Sequence, residues 1–416
     1  MKPKNDFVKS VSILLTGTVL AQVISLLFTP IISRFFGPEE NAYLGLFLRV
    51  TTLVATLSTA RLDMVIPLER NKNYAFGIYQ FSFLLSTLIS FLCLLVLIVY
   101  ITFTEQNFEN ILFLISLPLG FLFISFFNLG NSWELRAENY KSISFASIIL
   151  SLSSNSFKLI GGIFSGHYLI LIGATLLGYF LASIGFLSKF LGEKKTKILS
   201  FKSSRTKVLV KQNQDFYTYN LFHVILDLSR DMLIASFIWI HFSKLDFGSY
   251  EFSFRMMKLP IVFLATALSQ VFFRKAKDLI QKPKELKEMT LKTLFYSFLI
   301  GIIPFGILFF FGQEIFGFVF GEKWIDAGKI AELISPWLFV NFVFTPISFI
   351  PILLGKQKSY FWINVGFLVL IVLFCFIFYY FEINYYDFIL SFALIQSLLL
   401  FILILWFAFL IKKINI

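Results

Sequence analysis

A succession of apolar segments, each about 20 residues long, occupies most of this 416-residue chain. A helix of about 20 apolar residues is long enough to cross the hydrocarbon core of a bilayer. Apolar residues make up 58% of the chain and charged residues only 14%, a balance that cannot cover a water-soluble surface. We therefore expect an all-α polytopic membrane protein with about 12 transmembrane helices. The approximate limits of the predicted spans are 11–33, 42–60, 74–101, 111–130, 142–164, 168–188, 216–240, 248–272, 294–312, 330–354, 359–381 and 388–411.

The distribution of lysine and arginine predicts the orientation of these spans. Of the 36 basic residues, 27 fall in segments on one side of the predicted membrane, 4 on the other side and 5 within spans. Cytoplasmic loops carry an excess of lysine and arginine, so both termini are predicted to be cytoplasmic. The basic excess then lies at the anionic leaflet surface, and no nucleic-acid partner is expected.

The longest predicted cytoplasmic loop divides the spans into two groups of six. We expect an N-terminal six-helix lobe over 1–190, a basic cytoplasmic linker over 191–215 and a C-terminal six-helix lobe over 216–416. Two polar turns, Arg34–Tyr43 and His241–Tyr250, occupy matching places after the first and seventh spans. This similarity indicates an internal repeat of the kind found in transporters.

Five basic residues lie inside predicted spans, which is costly in a bilayer. Each such charge costs about 2.5–3.5 kcal/mol on insertion scales. The acidic residues Asp227, Asp231 and Glu251 lie in two of the same spans. One interpretation is a hydrated central cavity with net positive charge. The alternative is structural ion pairing, for example Asp227 with Arg230 and Glu251 with Arg255. The five basic residues are Arg49, Lys158, Arg230, Arg255 and Lys258.

The seventh span carries His223, Asp227 and Asp231 at helical spacing on one face. Because titratable groups inside a membrane often belong to ion pathways, we treat these three as candidates for coupling to a cation gradient. His223 has an equally simple alternative role as a structural histidine. Polar stripes on the first, second and fifth spans also predict interior faces; they include Thr18, Gln22, Ser25, Thr29, Thr52, Thr56, Thr59, Ser147, Ser151, Ser154 and Asn155.

The sequence contains no motif that predicts an enzyme, a cofactor site or a metal site. There is no HExxH, P-loop or GxSxG sequence, and no loop is large enough for a catalytic domain. Cys93 and Cys375 are isolated in apolar segments, so neither a disulfide nor a zinc site is expected.

Three segments resemble the polysaccharide biosynthesis proteins, the Wzx-type O-antigen flippases of the multidrug/oligosaccharidyl-lipid/polysaccharide exporter superfamily. They are LTGTVLAQVISLLFTPIISRFFGPEE at Leu15–Glu40, TARLDMVIPL at Thr59–Leu68 and FVFGEKWIDAG at Phe318–Gly328. The chain departs from that pattern at Asn41-Ala42, where the family usually has Phe-Gly. The later turn keeps Phe-Gly at Phe247-Gly248.

The resemblance implies two six-helix lobes around a cleft lined by the first, second, seventh and eighth spans. It also implies transport of an undecaprenyl-diphosphate-linked oligosaccharide across a bacterial inner membrane, without covalent chemistry. A diphosphate needs arginine or lysine partners. Arg49 and Arg255 occupy similar places in the two halves, so we expect them to be the main diphosphate contacts. Lys158, Arg230 and Lys258 are expected to be weaker ones.

Two other functions remain open at this stage. A cation-coupled drug or small-metabolite antiporter of the same superfamily would favour a less cationic cleft. A glycan polymerase or ligase would be expected to carry a sizeable outer loop with catalytic groups. Other assembly proteins, among them a polysaccharide polymerase, are possible partners of a flippase.

The predicted orientation can be tested by labelling single cysteines in intact cells. Cysteines at Asn107 and Asn384 should react with a membrane-impermeant thiol reagent, because both positions lie in predicted outer loops. Cysteines at Ser203 and Gln281 should react only after permeabilisation. Labelling of Ser203 from outside would reverse the orientation.

Overall fold

The computed structural model describes residues 4–69, 71–194 and 214–413, and the regular elements in these ranges are all helical. The all-α prediction is confirmed. Every predicted span falls on a helix or on two consecutive helices. In chain order the helices are α1 Lys4–Phe35, α2 Pro38–Ser58, α3 Lys72–Phe103, α4 Phe108–Arg136, α5 Tyr140–Phe164, α6 Tyr168–Lys194, α7 Gln214–His241, α8 Lys244–Pro260, α9 Thr266–Asp278, α10 Pro283–Phe320, α11 Ile325–Phe344, α12 Ile350–Leu353, α13 Gln357–Tyr380 and α14 Tyr385–Lys413.

Nine helical segments of the described ranges are long and apolar enough to cross a membrane, so the chain is a multi-pass membrane protein. The other three predicted spans correspond to α2, to α7 and to α8 with α9. These are the helices that carry Arg49, the Asp227–Asp231 group, and Arg255 with Lys258. The nine segments are Thr16–Phe35, Lys72–Phe103, Phe108–Arg136, Tyr140–Phe164, Tyr168–Ser188, Pro283–Phe320, Glu322–Leu353, Gln357–Tyr380 and Tyr385–Lys413.

The chain folds into two compact units, Met1–Phe222 and His223–Ile416, hereafter unit 1 and unit 2. Most of the predicted linker 191–215 lies outside the described residues, so the exact lobe boundaries stay a prediction.

In both matching polar turns, the backbone amide just before the next helix donates a hydrogen bond to a carboxylate three residues later, and the second turn also has the reverse bond. Before α2, the Gly37 amide donates to the Glu40 carboxylate at 2.7 Å. Before α8, the Ser243 amide donates to the Asp246 carboxylate at 3.1 Å, and the Asp246 amide donates to the Ser243 hydroxyl at 3.1 Å. Each pair satisfies amides that a helix start leaves without internal partners.

Small hydroxyl side chains hold several helices of unit 1 together. The Ser58 hydroxyl lies 3.1 Å from the hydroxyls of both Ser86 and Ser125, which joins α2, α3 and α4. All three residues are buried. The hydrophobic effect adds little to the association of transmembrane helices. Close packing of small side chains and hydrogen bonds between helices therefore stabilise their contacts.

Helix α11 is central to unit 2, where it packs against α8, α10 and α14. The segment Phe318–Gly328, which resembles the family pattern, forms the entry to this helix. Gly321 has a φ of +104°, a conformation that glycine adopts without strain. Trp324 follows and is fully buried, with its ring stacked at 3.9 Å on that of Phe252.

Gly328 brings the backbones of α10 and α11 into direct contact. A Cβ atom at this position would lie 2.5 Å from the Cα of Gln313 and 2.5 Å from the carbonyl oxygen of Gly312. Hydrogen bonds support the same contact, because the amide and the side chain of Gln313 both donate to the Glu332 carboxylate, at 3.1 and 2.9 Å. The end of the motif is therefore a close helix crossing.

Regular α-helical geometry is interrupted at two places in unit 2. A π-helical turn, Ile261–Ala265, follows Pro260 at the end of α8. Helix α11 ends at Phe344, and a 3₁₀ turn, Thr345–Ile347, follows it. Pro260 precedes the first break and Pro346 lies in the second. Proline favours a break because it has no amide hydrogen to continue the helix.

Gly328→Ala should destabilise the protein by about 1–3 kcal/mol, because the added methyl group meets backbone atoms that cannot rotate away. A lower melting temperature of the purified variant in detergent would show this. Gly306→Ala on α10 is the matched control, since a Cβ there meets nothing within 4 Å. Equal melting temperatures for the two variants would contradict the close crossing.

Candidate functional site

Unit 2 contains a polar cavity of about 300 Å³ between α7, α8, α11, α13 and α14. Four charged residues that the sequence singled out line it, two acids and two bases. The lining residues are Asp227, Arg230, Asp231, Phe254, Lys258, Trp337, Leu338, Asn341, Phe344, Thr345, Ser348, Tyr360, Asn364, Phe367, Gln396, Leu399, Leu400 and Leu403.

Helix α7 supplies three of the four charges. Asp227, Arg230 and Asp231 are separated by three and one residues, which keeps them on one side of the helix. The Arg230 guanidinium donates to the Asp227 carboxylate at 3.0 Å, and the two side chains are 24% and 45% exposed. The i,i+3 ion pair expected from the sequence is therefore present.

Lys258 supplies the fourth charge from α8. Its ammonium nitrogen lies 3.8 Å from a carboxylate oxygen of Asp231 and 4.2 Å from the centre of the Phe254 ring. The aromatic face favours a cation at this distance. Lys258 thus links α8 to α7, and the two acids and two bases at the cavity cancel in charge.

Neutral polar groups complete the cavity wall. The Thr345 hydroxyl donates to the Asn341 carbonyl at 2.7 Å, and the Asn364 side-chain amide donates to the Tyr360 carbonyl at 2.8 Å. Gln396 is 6% exposed on α14. The pattern of charged residues in the sequence gives no indication of these neutral residues. Single amide side chains inside strongly apolar spans were the signal that could have found them.

Arg255 has different surroundings from Lys258, although both lie on α8. Its guanidinium carbon lies 5.6 Å from the centre of the Phe252 ring. Glu251, four residues earlier, is 9% exposed. Arg255 is not one of the described residues that line the unit 2 cavity.

Unit 1 contains the other two basic residues, Arg49 on α2 and Lys158 on α5, and both are partly buried. The polar stripe that leads to Lys158 forms hydrogen bonds to α1. The Ser151 hydroxyl donates to the Ala21 carbonyl at 2.6 Å and lies 2.8 Å from the Ser25 hydroxyl. The Asn155 amide donates to the Ser25 hydroxyl at 3.0 Å. Part of this stripe therefore joins two helices.

His223 belongs to α7, but its side chain is outside the described part of the structure. Its predicted place beside Asp227 stays a prediction. Cys93 and Cys375 are both free thiols.

The family of polysaccharide biosynthesis proteins matches residues 13–329 of the chain. This chain belongs to that family. The match includes all three segments whose resemblance to the family was noted in the sequence. No curated protein sequence matches the chain.

Solved transporters of the MOP superfamily share the fold. A multidrug resistance MATE family transporter in its inward-facing conformation is 14% identical, with a TM-score of 0.69 and 95% of each chain covered. A MOP superfamily transporter from Pyrococcus furiosus is 15% identical, with a TM-score of 0.60, covering 98% of this chain and 96% of that one. A MATE protein in complex with MaL6 is 14% identical, with a TM-score of 0.64, covering 98% and 97%. These similarities show that the chain has the fold of the MOP superfamily transporters.

Proposed function

We propose that this protein is a flippase that moves an undecaprenyl-diphosphate-linked oligosaccharide, such as an O-antigen or capsule repeat unit, across the bacterial inner membrane. Membership of the polysaccharide biosynthesis family and the transporter fold support this proposal. The observation that carries it is the set of five basic side chains within the spans. Transport of this kind needs no covalent step, so the protein acts as a transporter and not as an enzyme.

The chemistry of the substrate explains why arginine is favoured at the proposed contacts. A guanidinium group can donate two parallel hydrogen bonds to phosphate oxygens, whereas an ammonium group offers a point charge. Arg49 in unit 1 and Arg255 in unit 2 are the proposed main contacts for the diphosphate. Lys158, Arg230 and Lys258 are proposed as secondary contacts. The isoprenoid tail stays in the bilayer during the passage, because its transfer to water would be strongly unfavourable.

Coupling to an ion gradient is proposed to involve the acidic groups on α7. A carboxylate inside a membrane changes its protonation or its partner when its hydration changes. Asp227 and Asp231 line the unit 2 cavity, where such a change in hydration would reach both. His223 is the third candidate by its place on α7.

Asp227→Asn should lower transport more than it lowers the amount of folded protein, because the substitution keeps the shape and removes the charge that faces Arg230. Surface polysaccharide per molecule of membrane-inserted protein is the measurement. Asn107→Asp on the α3–α4 connection is the control for a general effect of charge changes. Transport by Asp227→Asn that keeps the wild-type dependence on proton and sodium gradients would remove Asp227 from the coupling role.

Arg49→Ala and Arg255→Ala should each abolish most of the flipping activity while the protein remains in the membrane. Lysine at either position should restore part of the activity, since it keeps the charge but not the bidentate geometry. Glutamate should abolish it. The measurements are surface glycan, accumulated lipid-linked intermediates and folded protein in a deletion strain complemented with each variant.

A purely structural role for the two arginines gives the opposite result. Alanine would then lower the amount of folded protein, and activity per molecule would stay near that of the wild type. Lys323→Ala, on the exposed turn before α11, is the matched control for loss of a single positive charge. Normal surface glycan from both arginine variants at normal protein levels would overturn the cationic site.

A cation-coupled drug or small-metabolite antiporter is the second candidate. The observation in its favour is that two carboxylates offset the two bases at the unit 2 cavity, so this cavity lacks the net positive charge that would repel cationic compounds. The two proposals differ in the deletion strain. A flippase deletion accumulates lipid-linked oligosaccharide and loses surface glycan, whereas an antiporter deletion raises sensitivity to cationic compounds and leaves the glycan unchanged.

A further inference from the structure

The two carboxylates at the unit 2 cavity both have a basic partner within the protein. Asp227 is held by Arg230 from the same helix, and Asp231 faces Lys258 from the neighbouring helix. Oxygen-bearing side chains of Asn341, Thr345, Ser348, Tyr360, Asn364 and Gln396 surround the same space. Carboxylate, amide and hydroxyl oxygens in one cavity are the ligand set that a hard cation prefers.

The Lys258 ammonium group already supplies, beside Asp231, the positive charge that such a cation would bring. An ammonium group is a compact, strongly hydrated point charge, and in this respect it resembles an alkali-metal ion more than a guanidinium group does. At 3.8 Å from Asp231 it is the basic partner of the second carboxylate at the cavity. A further cation entering the cavity would meet the repulsion of both bases, which offsets its attraction to the acids.

We propose that Lys258 is the resident cation of this cavity, so that the site binds no metal ion while its ammonium group is in place. The carboxylates of α7 thus form an ion site whose cation is covalently attached through α8. This gives Lys258 a positioning role in unit 2, in addition to the secondary diphosphate contact proposed above. The inference deepens the proposed coupling role of Asp227 and Asp231 and does not depend on which glycan is carried.

The role predicts that removal of the ammonium group creates a sodium site. Lys258→Met keeps the length and apolar stem of the side chain and leaves Asp231 without this cation. The melting temperature of the purified variant in detergent should rise by about 2 °C or more between sodium-free and saturating sodium chloride, with N-methyl-D-glucamine chloride keeping the ionic strength constant. The wild type and Lys258→Arg should show no such rise.

Two further variants identify the origin of the effect. Asp231→Asn in the Lys258→Met background should abolish the sodium-dependent rise, because the carboxylate that receives the ion is gone. Lys323→Met, at an exposed lysine outside the cavity, should behave like the wild type. A sodium-dependent rise in the wild type that Asp231→Asn removes would overturn the proposal, and so would a Lys258→Met variant that folds and ignores sodium.

Lys258→Ala gives a second test if the methionine variant is poorly folded. Propylammonium replaces the atoms that this truncation removes, and it should raise the melting temperature of Lys258→Ala while 1-propanol does not. Equal effects of the two compounds, or no effect of propylammonium, would contradict a site for a cation.

All of these measurements are made without glycan. Their failure would leave the flippase proposal standing, and normal surface glycan in the arginine variants would leave the sodium results intact.

Discussion

Lipid cannot donate or accept hydrogen bonds, and this constraint governs the fold from the backbone to the charged side chains. An unsatisfied polar group in the hydrocarbon region costs several kcal/mol, so the backbone of a spanning segment closes its hydrogen bonds within a helix. The same cost acts on side chains that cannot reach water. The side chains of Ser58, Ser86 and Ser125 meet where three helices of unit 1 come together. Ser151 and Asn155 form hydrogen bonds with α1. In each case the polar group that would be costly in lipid becomes a helix contact.

Charged side chains obey the same constraint with larger energies. An acid and a base that pair inside a span each lower the cost of the other's charge in apolar surroundings. The charges of unit 2 are arranged accordingly. Arg230 pairs with Asp227 along α7, while Lys258 reaches Asp231 from α8 and rests on the Phe254 ring. Such pairs explain how acids and bases persist in spans, and they also leave each charge able to exchange its partner for water or a ligand.

The sequence was sufficient for the helices, because segment length and hydropathy reflect the thickness of the bilayer directly. It was also sufficient for the Asp227–Arg230 pair, since residues three apart on a helix are neighbours whatever the tertiary structure. Contacts between helices could not be predicted from the sequence. Nothing in the local pattern around Lys258 says that its partner is Asp231 on another helix, or that Asn341, Asn364 and Gln396 share one cavity with it. The segment FVFGEKWIDAG was noticed as a family pattern, but its physical reason needed the backbone contact at Gly328.

Because two basic residues of unit 2 are paired with acids, they contribute less than the other basic residues to the attraction of an anionic substrate. Within the predicted spans there are five bases and four acids, an excess of one positive charge, and the acids are Asp227, Asp231, Glu251 and Glu332. Asp227 and Asp231 offset Arg230 and Lys258 at the cavity, so that group contributes no net charge. The excess therefore resides with Arg49, Lys158 and Arg255, whose spans hold the single acid Glu251. Long-range attraction of an anion depends on net charge and not on the number of basic residues. The proposed main diphosphate contacts, Arg49 and Arg255, both belong to the group that carries this excess, whereas the balanced group in unit 2 is suited to respond to ions.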